Sequence, residues 1–247
     1  MRIFDCDMSY GIGTTALLRE VATVDDVLAE MDHCGIDQAL VWHRDAWERD
    51  FSAGNARLGE LAEHARLHPT KVFVPTCCQD MVSADEFMAQ LRNEGVRAVR
   101  AFPSKNSYLL DRVSCGDLLE AFIAHSIPLL VPLAELGWER IYALMKDFPK
   151  LRLIVTQIGI WGHDRYFRPL MKTYPGFCVS TSRMEIGGEV KSVVDRLGPE
   201  HIVFGSGLPQ HYPGSFVMML ARADISDAAR DAITHGNLER MLGEVTW

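Results

Sequence analysis

The chain has 247 residues, carries 25 Lys+Arg against 33 Asp+Glu for a formal net charge of −8, and is 48% hydrophobic and 23% charged, an ordinary composition for a soluble globular protein. A chain of this length buries roughly 70–75% of the surface its unfolded form exposes, enough for one large core without disulfides or a structural metal. The acidic balance, with no Lys/Arg-rich block, excludes the electrostatic footprint of a protein that binds nucleic acid or an anionic membrane surface.

The N-terminus MRIFDCDMSYG places acids where a signal peptide has its apolar region, and the most apolar run, residues 127–134, is short and holds two prolines. Six cysteines (Cys6, Cys34, Cys77, Cys78, Cys115 and Cys178) are dispersed without CxxC spacing, which fits reduced thiols. The expectation is a cytoplasmic protein with a small-molecule substrate or ligand and no nucleic-acid or membrane partner, compatible with a homo-oligomer.

Eight apolar runs of strand length recur along the chain at residues 2–6, 37–42, 71–76, 96–102, 127–132, 151–157, 176–181 and 201–206. Several are apolar at nearly every position, as parallel strands covered on both faces are. The intervals leave room for one crossover helix each. Thr23-Val-Asp-Asp26, Ser83-Ala-Asp-Glu86 and Ser114-Cys-Gly-Asp117 read as helix starts, a hydroxyl facing the orphan N–H groups and an acid in the first turn. Gly35 and Gly95 stand where helices stop, and residues 213–247 read as closing helices. No linker, repeat or low-complexity tract interrupts the alternation, so one domain spanning 1–247 is expected. Eight strand–helix units in this length predict an α/β fold of the (β/α)8 TIM-barrel type, with a doubly wound sheet as the alternative. No GxGxxG or GxxxxGK[ST] follows any run, which disfavours nucleotide binding.

In such a barrel the functional residues lie just past the strands. There stand Asp5, Asp7 and Ser9; His43, Arg44 and Asp45; Cys77 and Cys78; Arg100 and Lys105; Gln157 and His163; Ser180, Ser182 and Arg183; and Gly207 and His211. His125 precedes a strand and is read as structural. Asp5, Asp7 and Ser9 share a parity, so a mouth-facing Asp5 implies a mouth-facing Asp7. Two carboxylates there suit general acid–base work, or else Asp7 pairs with Arg100. His43, His163 and His211 are candidate acids or bases, each also explicable as a loop histidine. Arg100 and Arg183 could clamp a substrate carboxylate, or form ion pairs with Asp5 or Asp7. Cys77 and Cys78 are read as buried small hydrophobes, and Cys6 and Cys178 as out of phase with the inward positions or unassignable.

FDCDMSYG at the first strand, GNARLGELAEHAR after the second, LRLIVTQIG at the sixth, HIVFGSGLPQH at the eighth and the closing HGNLERML together resemble the amidohydrolase-related branch of the amidohydrolase superfamily. That branch holds metal-dependent hydrolases, lactonases and decarboxylases on TIM barrels. The resemblance implies metal ligands in an Asp-x-His-x-His motif, on the fifth and sixth strands and at an eighth-strand aspartate. This chain has Asp5-Cys6-Asp7-Met8-Ser9, Val131-Pro132-Leu133, Gln157 and Gly207 at the matching places, and only Asp5 carries over. Such donors suit a transition metal poorly, so the expectation is no cofactor, the usual Zn or Mn site being lost.

The function expected on this basis is a metal-independent, lactonase-like hydrolase of a small carboxylated or cyclic compound. Asp7, His43, His163 and His211 are its catalytic candidates, and Asp5, Arg100, Gln157 and Arg183 its substrate-binding ones. The alternatives are an inert relative that binds a small molecule or protein, and a decarboxylase or hydrolase with a rebuilt metal site around Asp5 and Asp7.

Overall fold

A computed structural model describes residues 1–14, 17, 19–159, 163–186 and 188–247. Parallel strands run β1 (Phe4–Tyr10), β2 (Gln38–His43), β3 (Leu67–Pro69), β4 (Lys71–Val72), β5 (Val99–Arg100), β6 (Leu129–Pro132), β7 (Leu153–Thr156), β8 (Phe177–Ser180) and β9 (Ile202–Val203). They form two ladders, β1-β2-β3 and β4 through β9 in sequence order. The first strand meets the last through Cys6 N–H to the Phe204 carbonyl, Ser9 N–H to the Leu208 carbonyl and Gly207 N–H to the Asp7 carbonyl, each 2.9 Å. The ring is a (β/α)8 barrel.

The third predicted run, 71–76, differs in place. Its strand begins at Leu67, pairs with β2 as far as Pro69, and after Thr70 pairs with β5 from Lys71. It ends at Val72, and the following turn carries Cys77 and Cys78 into solvent, correcting their expected burial.

Inward side chains grade from apolar to polar along the barrel. The lower layer is Phe4, Cys6, Leu40, Ala98, Leu130, Ile154, Cys178 and Val203, closed from below by Leu238, Met241 and Leu242 of the terminal helix Asn237–Gly243. Cys6 and Cys178 are thus inward after all, and burial raises both thiols, Cys178 to about 12, so they are protonated packing groups. The alternate side chains of the same strands, Ala39, Val41, Val99, Leu129, Val131, Leu153 and Val155, pack outward under the helices. Layers on both faces explain why these runs lack a polar alternation.

The helices start largely as their sequences specify. Thr23 and Ser83 each form a capping box, with Asp26 and Glu86 respectively, and Gly35 ends the first helix, Val24–Cys34, in the left-handed region at φ 69°. The helix Arg112–Ala124 departs from expectation. Asp111, not Ser114, is its cap and accepts the N–H groups of Val113 and Ser114 at 3.0 and 2.9 Å. A carboxylate one turn earlier reaches those donors first, and the backbone kinks at Cys115, where the hydroxyl-led start was placed. His125 joins the C-terminal tail, its Nδ1 lying 2.7 Å from the Thr246 carbonyl. No helix among the described residues is long and apolar enough to cross a membrane.

Asp111→Ala is expected to lower stability by about 1 kcal/mol, the common worth of an N-cap, whereas Ser114→Ala stays within about 0.5 kcal/mol of wild type. Urea melts of the two variants check the assignment, and the reverse order would restore Ser114 as the cap.

Candidate active site

The site begins with a β-bulge. Asp5 pairs with Ala39, but the next register pair is Met8 with Val41, so Cys6 and Asp7 together oppose Leu40. The extra residue shifts the phase of β1. Asp5 falls on the outward parity of Ala39, while Cys6 and Asp7 both turn inward. The shared parity expected for Asp5 and Asp7 is therefore broken, and the two carboxyls reach different surroundings.

Asp7 meets Arg100 inside the barrel. Arg100 Nη1 donates to Asp7 Oδ1 at 2.8 Å and Nη2 donates to the Cys6 carbonyl at 3.0 Å. Both residues are buried, Arg100 completely, and the guanidinium lies 5.5 Å from the Trp42 ring centre. Of the two roles open to Arg100, the structure has the ion pair. The amide of Gln157 donates to the other oxygen, Asp7 Oδ2, at 3.3 Å.

Gln157 and Arg183, just past β7 and β8, both adopt left-handed backbone, φ 55° and 65°, a conformation that costs non-glycine residues about 1–3 kcal/mol and collects at functional sites. Ser182 Oγ steadies this rim. It accepts the Gln157 N–H at 2.9 Å and lies 2.6 Å from Ser180 Oγ. Arg183 keeps a buried Nε with no partner among the described residues.

Gly207 closes the arrangement. A methyl group built on it lies 3.1 Å from His211 Cδ2, 3.6 Å from Gln157 Nε2 and 3.7 Å from Asp7 Oδ2, so three sequence-selected side chains surround one backbone position. The pKa of His211 is lowered by burial and then by Arg183, against the opposing pull of Asp7 and Glu185. The imidazole is thereby kept neutral, able to accept a proton.

Asp5 stands behind this group between the first and last strands. Its Oδ1 accepts the N–H groups of Asp7 and Ser206 at 2.8 and 3.1 Å, while Oδ2 is buried without a partner among the described residues. Burial outweighs those hydrogen bonds and pushes its pKa up to about 7.

Two of the candidate histidines lie elsewhere. His43 pairs in register with Tyr10, which packs in the outer core, so its ring points away from the barrel axis. It stacks edge-on to Tyr10 and faces a cavity of about 450 Å3 shared with Gly11, Thr23, Asp45, Arg49, Arg57 and Glu60. The inward residue at this level is Trp42, which strand alternation in QALVWH would have singled out. His163 precedes the helix Asp164–Thr173 and accepts a hydrogen bond from Trp138 Nε1 at 2.6 Å. Neither touches Asp7.

No protein-family model matches this chain, and no curated protein matches it in sequence. Solved structures do match it end to end. An uncharacterized TIM-barrel protein from Bordetella bronchiseptica is 18% identical, covers 99% of both chains and has a TM-score of 0.75. A 5-carboxyvanillate decarboxylase from Novosphingobium aromaticivorans, holding manganese and 3-methoxy-4-hydroxy-5-nitrobenzoic acid, is 12% identical over 98% of this chain and 97% of its own, with a TM-score of 0.76. A Pseudomonas putida chain provisionally described as a 2-pyrone-4,6-dicarboxylic acid hydrolase is 16% identical over 100% and 99%, with a TM-score of 0.70. The shared fold is the TIM barrel.

The manganese in such a neighbour corrects the expectation that no metal cofactor belongs here, since a protein of the same fold holds one. The donors of this chain nevertheless do not fit one at the matched positions. Asp7 is engaged by a guanidinium, Gln157 offers an amide and Gly207 nothing. Among the described residues no three His, Cys, Asp or Glu side chains converge on one point.

Asp7→Asn is expected to cost about 3–5 kcal/mol by leaving the Arg100 charge buried and unpaired, and adding Arg100→Met should recover part of the loss. Denaturant melts of the single and double variants check this; a single variant as stable as wild type would refute the pairing. Asp5 gives a separate pH signature. Its folded pKa of about 7 exceeds its ordinary value of 3.8, so the folded state holds the proton more tightly. Stability is fully present below pH 4, declines as pH rises to about 7 and then levels, by at most about 4 kcal/mol. Asp5→Asn lacks this decline, so its Tm relative to wild type should climb between pH 4 and 7. A flat difference would show that Asp5 ionises normally.

Proposed function

We propose that this chain is an enzyme of the amidohydrolase-related type that hydrolyses a small carboxylated cyclic ester, such as a lactone or pyrone, at the C-terminal mouth of the barrel. The observation that carries the reading is the convergence of His211, Gln157 and the Arg100-held Asp7 on Gly207, beside the strained Arg183. End-to-end likeness to barrels described as acting on carboxylated rings supports the substrate class.

The chemistry follows from what each group can do. Neutral His211 accepts a proton from the water that attacks the ester carbonyl, and returns it to the leaving oxygen as the ring opens. Asp7, held by Arg100 at 2.8 Å, favours the imidazolium that forms in between. Arg183, with an unpartnered buried Nε, holds the substrate carboxylate. Gln157 directs its amide and keeps the rim in place through Ser182. Asp5 and Arg100 are too deeply buried to meet substrate and support the others. His43 and His163 take no part.

A second reading, decarboxylation of a carboxylated phenol, is favoured by the bound nitrobenzoic acid in the decarboxylase that shares this fold. The two readings differ in product. Lactones, pyrones and carboxylated phenols are assayed with and without added manganese, following ring opening and carbon dioxide release separately. His211→Asn is expected to lower kcat about 10²-fold or more, as loss of a general base does, and Arg183→Met to raise KM for carboxylated substrates above all. Because the His211 pKa is lowered, the acid limb of the rate profile should fall below the ordinary histidine value near 6.5. Full activity in His211→Asn would end this assignment.

A further inference from the structure

A cavity lies away from the mouth. It measures about 800 Å3 and lies on the flank of the barrel, between the segment Phe51–Leu61 and the helix Ala84–Asn93. Its size falls within the roughly 300–1,000 Å3 of small-molecule sites. Neighbouring helices of a barrel ordinarily pack directly on each other, but here the two segments stand apart over β3 and β4. The lining is mixed, with buried Phe51, Leu58, Leu61 and Phe87 beside polar Asn55 and Gln90.

One charged side chain enters this space from the sheet. Lys71, on the outward parity of β4 because Val72 points into the barrel, has a side chain only 9% exposed. An ammonium carries three donors. Lys71 uses one, toward Glu94 Oε1 at 2.6 Å, and that carboxylate is itself 49% exposed. Among the described residues its other N–H groups have no partner, and buried donors are ordinarily satisfied.

We propose that this flank cavity is a binding site, separate from the mouth, for a small molecule with an apolar ring or chain as its body and an acceptor oxygen, carboxylate or carbonyl, at its head. The body covers the walls between the two helices and the head takes the free Lys71 donors, with Glu94 staying on the third. Since Lys71 and the mouth lie on opposite faces of the sheet, the site stands whether or not the reaction assigned to the mouth is right.

The test is hydrogen exchange resolved by segment, with 1-naphthoate as probe and naphthalene as the headless control. Expected is saturable protection of residues 51–62 and 80–94 by 1-naphthoate and little by naphthalene. Lys71→Met should weaken the apparent affinity about 10-fold or more, and Ala62→Trp, which fills the cavity from its exposed rim, should abolish the protection while leaving the mouth unaltered. Should Lys71→Met fold poorly, the rim variant still decides. Protection confined to the mouth segments, equal affinity in Ala62→Trp, or protection that rises with protein concentration in the absence of probe, as burial under a second copy would give, overturns the proposal.

Discussion

A buried guanidinium and a buried carboxylate, Arg100 and Asp7, sit at the level where the barrel interior changes from apolar to polar. Each is tolerable there only because of the other, and the second Arg100 donor pair reaches the Cys6 carbonyl, exposed by the same bulge that turned Asp7 inward. The Trp42 ring lies 5.5 Å from the guanidinium. Every other feature of the mouth takes its place from this contact: Gln157 completes the carboxylate, His211 feels its charge, and Gly207 leaves the room in which they meet.

The bulge in β1 also resolves what would otherwise be a conflict between two acids two residues apart. Had Asp5 and Asp7 faced one space, their repulsion would have raised one pKa through charge. Instead the raised pKa of Asp5 arises chiefly from burial between the first and last strands, where two backbone N–H groups hold one oxygen and no described residue holds the other. A protonated Asp5 is a neutral wedge at the seam of the barrel. Its position at the closure, rather than a role toward substrate, accounts for its hydrogen bonds to Ser206 and Asp7.

Metal chemistry and this chain stand in an instructive relation. The fold is shared with proteins that hold manganese, while the positions where the resemblance implies ligands offer an aspartate already paired, an amide and a glycine. A guanidinium supplies fixed positive charge at that depth, with geometry suited to a carboxylate. His211 and, on left-handed backbone, Arg183 stand at the rim.

The sequence by itself determined the barrel. Strand-length apolar runs at regular intervals, capping boxes at Thr23 and Ser83 and a left-handed Gly35 are local signals, set by side-chain period and backbone preference, and the tertiary structure had only to agree with them. It also placed Gln157, Gly207 and His211 beyond strand ends, which is a matter of counting, whereas Asp7 lies inside β1, which runs on to Tyr10. Tertiary structure alone decided which way they face. A one-residue bulge moved Asp5 out of the group, strand parity sent His43 outward and Trp42 inward, and a distant tryptophan took His163. Phase along a strand depends on its partner's register, and a pairing partner is a property of the folded chain, invisible in any one segment. For the same reason the splayed helices over Lys71 had no sequence signal, since a gap between two elements is written in neither.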